Sequence, residues 1–393
     1  MSSNTAKVTS ITAKRAAARQ RSEQSVANTR AATTLFAVVA ALLVIGVTAT
    51  MSASSAVAID QEADRLFFFK RQLVGIGIGV VAMAVASRIP YTLYRKLAGP
   101  LFVGTLGLLV AVLAFGVGAN GSTRWIAIGP ITIQPSEIAK FSVIVALAAV
   151  LDKKHKLLGE FGHFAAPVVA IVGTVGLLVM LQPDLGTTIV IATAALGVIL
   201  ASTTPFRFVL YSGAASVTLA TLFAFTADYR LARIVGFRDP WADVQGSGWQ
   251  LVQSYLALGS GGITGVGLGA SRARWFYLPN AHTDFIFAII GEETGFVGGT
   301  VVMILFLLLA AAGWAIATRA IDPFGRMLAV GITVWLSFQA VVNIGGVLGV
   351  LPITGITLPF VSYGSTAVAV SMAAIGVLAN IAYSGGSRSR RRS

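Results

Sequence analysis

The chain has 393 residues, of which 56% are hydrophobic and only 11% are charged, and its mean hydropathy is +0.82. A soluble domain carries about 25% charged residues, so this composition excludes an ordinary soluble protein. The net charge of +14 lies mostly in the tails and in alternate short loops, which is typical of membrane topology and not of nucleic-acid binding. The absence of cysteine excludes disulfides, thiolate metal sites and a cysteine nucleophile.

Apolar runs of about 20 residues recur along the chain, each long enough to cross the hydrocarbon core of a membrane as a helix. We therefore predict an all-α polytopic membrane protein with about ten transmembrane helices and both termini in the cytoplasm. The predicted spans are 34–56, 71–87, 98–118, 136–151, 164–182, 188–203, 207–227, 285–317, 328–348 and 364–384. SASSAVAID at 52–60 resembles a signal-peptidase site, but we favour a retained first helix because the preceding apolar run is longer than a usual signal core.

The chain divides into a membrane domain, 33–384, between two basic cytoplasmic tails, 1–32 and 385–393, of which the first is predicted to be disordered. Residues 228–284 form the one long loop, placed on the outer side of the membrane. Within it, Trp249, Val252 and Leu256 follow a helical spacing, which predicts a short helix in the membrane interface.

The segment NGSTRWIAIGPITIQPSEIAK, 120–140, contains Arg124 at headgroup level and a pair, Glu137 and Lys140, three residues apart on one helix face. Two interpretations stay open for the pair: a neutralised ion pair that ties two helices together, or a charged wall of a polar cavity near the outer surface. Asp184 in QPDLGTT, 182–188, likewise either caps the following helix or faces that cavity.

The glycine-rich run GSGGITGVGLGASRAR, 259–274, is not a dinucleotide fingerprint, since no strand–helix–strand unit surrounds it. Its backbone N–H groups, with Arg272 and Arg274, are suited to a phosphate. On the outer face, the natural phosphate is a lipid headgroup or a lipid-linked pyrophosphate.

Three acids lie in LPNAHTDFIFAIIGEETG, 278–295, at the start of the eighth predicted span. Carboxylates are costly in the hydrocarbon of a membrane, so their presence here indicates a function. Asp284, at the outer mouth of the eighth span, is either an N-cap or, if it faces a cavity, a general base with a raised pKa. Glu292 lies about 12 Å deeper and about 80° around an ideal helix, and Glu293 points nearly opposite to Asp284. We therefore assign Glu292 and Glu293 to cavity structure and ion pairing, with Lys140 as one candidate partner.

GVLGVLPITGITLPFVSYGST, 346–366, is apolar but contains prolines and glycines that break a helix. Non-helical backbone at membrane depth is tolerated where protein buries it or where it lines a cavity. We predict that this stretch, with Pro359 and Ser362, forms part of the cavity wall.

Four motifs together resemble the SEDS family (shape, elongation, division and sporulation). They are RWI and QPSEIAK (124–140), QPDLGTT (182–188), GVGLGASRARWFYLPNAHTDFIFAIIGEE (265–293) and NIGGVLGVLPITGITLPFVSYG (343–364). The resemblance is greater to the FtsW/SpoVE branch of the family than to its RodA branch. The family commonly has SYGGS where this chain has SYGST, so this chain lacks the second glycine of the turn and has Ser365 in its place. Thr294 stands where a leucine is usual.

The resemblance implies a ten-helix peptidoglycan glycosyltransferase that polymerises lipid II at the outer face of the bacterial cytoplasmic membrane, at the division septum. It places the family's essential aspartate at Asp284, which would deprotonate the acceptor hydroxyl as undecaprenyl pyrophosphate leaves. The candidate cations for that pyrophosphate are Lys140, oriented by Glu137, together with Arg124, Arg272 and Arg274.

The partners implied are lipid II, a class B penicillin-binding protein transpeptidase, other divisome membrane proteins and membrane lipids. No cofactor is predicted, and the sequence leaves open whether a divalent cation assists. Two other functions stay open: a lipid II flippase, which needs polar groups that continue to the cytoplasmic side, and a non-catalytic divisome scaffold.

Overall fold

The computed structural model describes residues 2–62, 64–119, 122–128, 131–226, 228–275 and 277–390. The helices in these ranges are α1 (Ser2–Glu62), α2 (Phe67–Arg88), α3 (Tyr91–Phe115), α4 (Pro135–Lys153), α5 (Phe161–Val168), α6 (Thr174–Met180), α7 (Leu185–Ala201), α8 (Phe206–Ala224), α9 (Asp228–Arg238), α10 (Trp249–Gly261), α11 (Ile286–Thr318), α12 (Pro323–Val347) and α13 (Ser365–Arg390). A π-helical turn, Val169–Gly173, joins α5 to α6. The strands are β1 (Val117–Ala119), β2 (Ser122–Ile128) and β3 (Ile131–Ile133).

Each of the ten predicted spans coincides with a helix, the fifth being α5, the π-helical turn and α6 in succession. Eight of these segments are long and apolar enough to cross a membrane. The other two are α7, which has 17 residues, and α4, whose 19 residues include both members of the predicted ion pair. The predicted polytopic helical membrane architecture is confirmed.

The first helix packs into the bundle over most of its apolar part. Asn28 on α1 donates through Nδ2 to the carbonyl of Ala382 on α13 at 3.2 Å. The stretch that resembles a signal-peptidase site includes the buried residues Ser52–Ser55, and Ser52 donates to Glu293 on α11. Residues 2–32, predicted to be disordered, are helical and belong to α1, which corrects that expectation. The bounds of the two tails stay predictions, and residues 1 and 391–393 lie outside the described residues.

Helix α12 is the centre of the bundle. It packs against α4, α7 and α11, and most of its residues are buried, as expected of a helix surrounded by other helices. Trp335 and Leu336 in its middle are completely buried. In contrast, α8 packs along α7 and exposes most of its length, with Phe208 as its buried residue.

A small antiparallel sheet in the order β1-β2-β3 interrupts the helices. It was not predicted, and it corrects the predicted third span, since α3 ends at Phe115 and β1 follows at once. The pairing of Ile126 with Ile133 lies in a segment rich in isoleucine, a residue whose branched side chain favours strands. Because this sheet leads directly into α4, it brings Arg124 and Thr132 to the same end of the bundle as the start of α4.

The long loop folds back on the bundle. The short helix predicted from Trp249, Val252 and Leu256 is α10, which buries Val252 and packs against α11; α9 was not predicted. After α10, residues 262–267 run beside α11, and the N–H groups of Val266 and Gly267 donate to the carbonyls of Glu292 and Glu293.

Helix α11 accommodates this neighbour by breaking at Gly295, where φ is 67° and ψ is −165°. A side chain in this conformation would be strained. A methyl group added there would also lie 2.4 Å from the backbone nitrogen of Gly265, so a glycine is needed on both counts.

Candidate functional site

A cavity of about 740 Å³ opens at one end of the bundle. Its walls come from β2 and β3, the first turns of α4, α7 and α13, the last turn of α8, one face of α9, and residues of the loops 280–284, 352–357 and 363–364. These segments are far apart in the chain, and the packing around α12 brings them together. The cavity is large enough for a small-molecule ligand or a headgroup.

Asp284 lies in this wall, two residues before α11 begins. The N-cap position of α11 is Phe285 and has no side-chain cap, so Asp284 does not serve as the cap. Burial raises the pKa of Asp284 from 3.8 to about 6, although the nearby guanidinium groups of Arg233 and Arg124 act to lower it. A carboxylate with this pKa is ionised at neutral pH and basic enough to accept a proton.

His282 lines the same wall and is uncharged, since burial lowers its pKa to about 4. Its ring contacts Phe68, with centroids 4.9 Å apart, and Tyr363, with centroids 5.7 Å apart. The imidazole therefore presents a neutral polar surface next to Asp284.

Arg124 and Asp184 face the cavity together. Arg124 extends from β2, and its Nη1 lies 3.7 Å from Oδ2 of Asp184. It also donates through Nε to the carbonyl of Gln182 at 3.0 Å and through Nη2 to that of Pro183. Asp184 additionally caps α7 by accepting from the N–H of Thr187 at 3.1 Å. Both sequence interpretations of Asp184 therefore apply, the cap and the cavity wall.

Helix α9 supplies two cavity-lining arginines, Arg230 and Arg233, that the sequence reasoning missed. A methyl group added at Gly355 would lie 3.6 Å from Oδ2 of Asp284 and 3.7 Å from Nη1 of Arg233, so the carboxyl and guanidinium groups both approach this glycine. Gly355 has a φ of 74°, which favours glycine. A signal was available in the sequence, because arginines three residues apart share a helix face.

The Glu137–Lys140 pair forms as the spacing indicates. Glu137 lines the cavity, whereas Lys140 is 2% exposed and lies behind the wall. Its Nζ lies 2.8 Å from a Glu137 carboxylate oxygen and 2.9 Å from Oε1 of Gln339 on α12, and it lies over the ring of Trp335. Because it binds Glu137 and Gln339 and does not line the cavity, Lys140 is placed to join α4 to α12, and this corrects the expectation that it faces the pyrophosphate.

The two deeper acids are close together instead of diverging. Glu292 accepts from the hydroxyl of Ser271 and from the backbone N–H of Arg272 at 2.9 Å, and Glu293 accepts from the backbone N–H of Ser271 at 3.4 Å. The two side chains come together because the glycine-rich loop, held by the break in α11, supplies hydrogen-bond donors to both. Among the described residues, neither glutamate lines the cavity, which corrects their assignment to its wall, and Lys140 is the partner of neither.

The glycine-rich loop carries its arginines away from the cavity. The side chain of Arg272 is exposed, and that of Arg274 donates to the hydroxyl of Ser52 on α1 at 3.0 Å. Neither is among the described residues that line the cavity, which corrects their placement beside the leaving group.

Pro359 and Ser362 belong to a buried turn behind the cavity, and not to its lining as predicted. The hydroxyl of Ser362 donates to the carbonyl of Thr283 at 2.6 Å. The substitution in SYGST is tolerated because Ser365 begins α13 and its φ is not positive. The turn therefore needs no second glycine.

The arrangement is one basic carboxylate, Asp284, surrounded by guanidinium groups from β2 and α9 and by a second acid, Asp184. It can accept a proton from a bound hydroxyl group while cations stabilise negative charge that develops nearby. Within the described residues, no three acidic or histidine side chains lie close enough together to hold a metal ion.

Comparison with known proteins identifies the family. The model of the cell cycle protein family of FtsW, RodA and SpoVE matches residues 32–386. Stage V sporulation protein E of Bacillus subtilis (strain 168) is 43% identical over 343 residues, which cover 86% of this chain and 93% of that protein. The probable peptidoglycan glycosyltransferase FtsW of Geobacter sp. (strain M18) is 40% identical over 338 residues, covering 86% of this chain and 92% of that protein.

Two solved structures are similar over nearly the whole chain. One comes from a peptidoglycan synthase complex, described for its coordination of polymerization and crosslinking; it has a TM-score of 0.72 and 28% identity and covers 89% of this chain and 97% of that one. The other is the rod shape determining protein RodA of Thermus thermophilus, with a TM-score of 0.64 and 28% identity; the match covers 88% of this chain and 94% of that one. By its sequence and by its fold, the chain belongs to the cell cycle protein family of FtsW, RodA and SpoVE.

Proposed function

We propose that this protein is a peptidoglycan glycosyltransferase that polymerises lipid II into glycan strands, with Asp284 as the general base. The observation that carries the proposal is the position of Asp284, whose pKa is raised to about 6, in a cavity of about 740 Å³ lined with arginines. The FtsW and SpoVE relatives support the reaction class.

In this reaction, the carboxylate of Asp284 accepts the proton of the acceptor sugar's 4-hydroxyl group. The freed oxygen attacks the anomeric carbon of the donor sugar, forming the new glycosidic bond with inversion. The bond between that carbon and the phosphate oxygen breaks, and undecaprenyl pyrophosphate leaves with the electron pair.

The departing pyrophosphate needs cations where its charge develops. Arg124, Arg230 and Arg233 line the cavity and are suited to this role. A guanidinium group can donate two parallel N–H hydrogen bonds to two oxygens of one phosphate. Arg272, on the exposed loop, is better placed for a lipid headgroup outside the cavity.

The proposed setting is the outer face of the bacterial cytoplasmic membrane at the division septum, with both termini in the cytoplasm, since lipid II is consumed on the outer side. A class B penicillin-binding protein is the proposed partner, supported by the similarity to a chain of a peptidoglycan synthase complex. Other divisome membrane proteins and membrane lipids are the further proposed contacts.

We expect Asp284→Asn to lower the rate of strand formation at least about 100-fold, because an amide cannot accept the proton and general-base catalysis contributes on the order of 100- to 10,000-fold. The assay uses the purified protein with its class B penicillin-binding protein and labelled lipid II, and strands are resolved on a gel. Asp243→Asn is the matched control, since Asp243 lies in the exposed turn that leads into α10.

Full activity of folded Asp284→Asn would overturn the assignment of the base. The same experiment separates the alternatives, because a scaffold or a flippase makes no strands even as the wild-type protein.

A further inference from the structure

Three consecutive carbonyl groups around Asp284 each accept a hydrogen bond from a different donor. The pairs are Tyr363 N–H to His282 O at 3.0 Å, Ser362 Oγ to Thr283 O at 2.6 Å, and Asn343 Nδ2 to Asp284 O at 2.8 Å. The donors belong to α12 and to the turn before α13, so two separate elements hold the main chain that carries the carboxylate.

Asn343 joins the two sides of the site. It is buried on α12, and its Nδ2 donates both to Asp284 O and to the carbonyl of Ile356 at 2.7 Å. An amide nitrogen has two hydrogens, so both are used. Ile356 follows Gly355, the residue that the Asp284 carboxyl and Arg233 both approach. One side chain therefore sets the separation between the residue that carries the carboxylate and the loop that faces it.

Ser362 has a corresponding role in the turn before α13. Its hydroxyl accepts from the N–H of Leu358 at 2.8 Å and donates to the carbonyl of Thr283 at 2.6 Å. A single buried oxygen thus closes the turn and attaches it to the residue before Asp284.

We infer that Asn343 and Ser362 are positioning residues that hold the main chain at Thr283 and Asp284, and so fix where the carboxylate lies relative to Gly355 and the cavity arginines. The inference rests on the proposed function. Neither side chain lines the large cavity, so its removal takes away no substrate-facing side chain and acts only through the position of Asp284.

We expect Asn343→Ala and Ser362→Ala each to lower kcat on the order of 10- to 100-fold, because a displacement of about 1 Å has an effect of this size. The KM for lipid II should change by less than about threefold, since the loss concerns the reaction step and not uniform binding.

The pH profile gives a second readout. The ionisable groups lining the cavity around Asp284 are Arg124 of β2, Glu137 of α4, Asp184 before α7, Arg230 and Arg233 of α9, His282, and Tyr363 before α13. None of them is altered in the variants. A carboxylate released toward water loses part of its desolvation, so the acid limb of the kcat profile should move to lower pH.

Matched controls remove similar buried hydrogen bonds elsewhere. Asn380 on α13 donates to the carbonyl of Ser87 at 2.8 Å, about 20 Å along the helix from the cavity. Ser254 on α10 donates to the carbonyl of Val347 at 2.8 Å. Asn380→Ala and Ser254→Ala should lower the melting temperature as much as the test variants do and leave the kcat of the folded protein and its acid limb unchanged.

Hydrogen exchange of peptides covering 280–286 tests the anchoring without turnover, and it should be faster in the two test variants than in the controls. The inference would be overturned if both test variants kept the wild-type kcat and acid limb. It would also be overturned if their losses of kcat and of melting temperature matched those of the controls. If Asn343→Ala does not fold, Ser362→Ala decides.

A wild-type protein that makes no strands would overturn the proposed function and the catalytic part of this inference. The hydrogen-exchange data would then test only whether Asn343 and Ser362 hold the main chain at Thr283 and Asp284.

Discussion

The carboxyl group of Asp284 has a pKa of about 6 because protein atoms replace much of its water. We therefore expect kcat to increase as the pH rises through about 6 and to level off near pH 8, since the ionised form is the base. A rate that is independent of pH between 5 and 8, measured with lipid II in detergent, would contradict this assignment.

The same shift predicts a gain in stability on removal of the charge. Between pH 3.8 and about 6, the folded protein binds more protons at Asp284 than the unfolded chain does, so the free energy of unfolding falls as the pH rises through this window. Asp284→Asn removes the penalty, and it should melt at a higher temperature than the wild type at pH 8. The difference should disappear below pH 4, and equal melting temperatures at pH 8 would contradict it.

Lys140 leads to a different prediction from the one that its sequence position suggested. Because it is buried and paired with Glu137, Lys140→Met leaves an uncompensated buried carboxylate, which costs about 3–5 kcal/mol. We expect the yield of folded protein to fall sharply, and the double variant Glu137→Gln with Lys140→Met to recover most of it. Normal yield of Lys140→Met with abolished turnover would instead support a role at the pyrophosphate.

At the scale of the elements, the break in α11 keeps the glycine-rich loop in place. Gly262 and Gly295 both have positive φ, 55° and 67°, but only a side chain at Gly295 would meet neighbouring backbone, since nothing lies within 4 Å of a methyl group at Gly262. Alanine substitutions at the two positions therefore distinguish the effect of backbone strain, present at both, from that of steric overlap, present only at Gly295.

We expect Gly262→Ala to destabilise the protein by about 1–3 kcal/mol through strain alone. Gly295→Ala should cost more, because residues 262–267 must also move away from α11. Thermal unfolding of the purified variants checks this order, and equal losses would contradict the close approach as the cause.

The elements also show where reasoning from sequence succeeds. Apolar length predicted a helix at each of the ten places, although not the end of the third, because partition into a membrane sums over neighbouring residues. The sheet was missed since its strands have only 3 and 7 residues, too short for a periodic signal.

Over the whole molecule, the polar groups are divided between the two ends. The cavity occupies one end, and Arg95 makes ion pairs with Asp152 and Asp322 at the other, at 3.3 and 3.0 Å. Between them α4 and α12 present completely buried apolar side chains, among them Ile144, Leu147, Leu328, Ile332 and Leu336. A polar headgroup that crossed between α4 and α12 would have to displace these side chains.

We therefore expect the purified protein in vesicles to polymerise lipid II on the side that carries the cavity and not to move lipid II across the bilayer. Fluorescent lipid II with a membrane-impermeant quencher measures the transfer, and protein-free vesicles are the control. Transfer that depends on the protein would favour the flippase.

The sequence by itself determined the membrane helices and the Glu137–Lys140 pair, since each depends on the composition or spacing of neighbouring residues. The choice of Asp284 as the base came from the resemblance of its motif to a family, because spacing alone left an N-cap equally open. The tertiary structure decided which cations share the cavity with Asp284. It brings Arg124 and Arg233 to the site and turns Arg272 and Arg274 away. These contacts join residues that lie far apart in the chain, so they depend on how the helices pack, which no local pattern encodes.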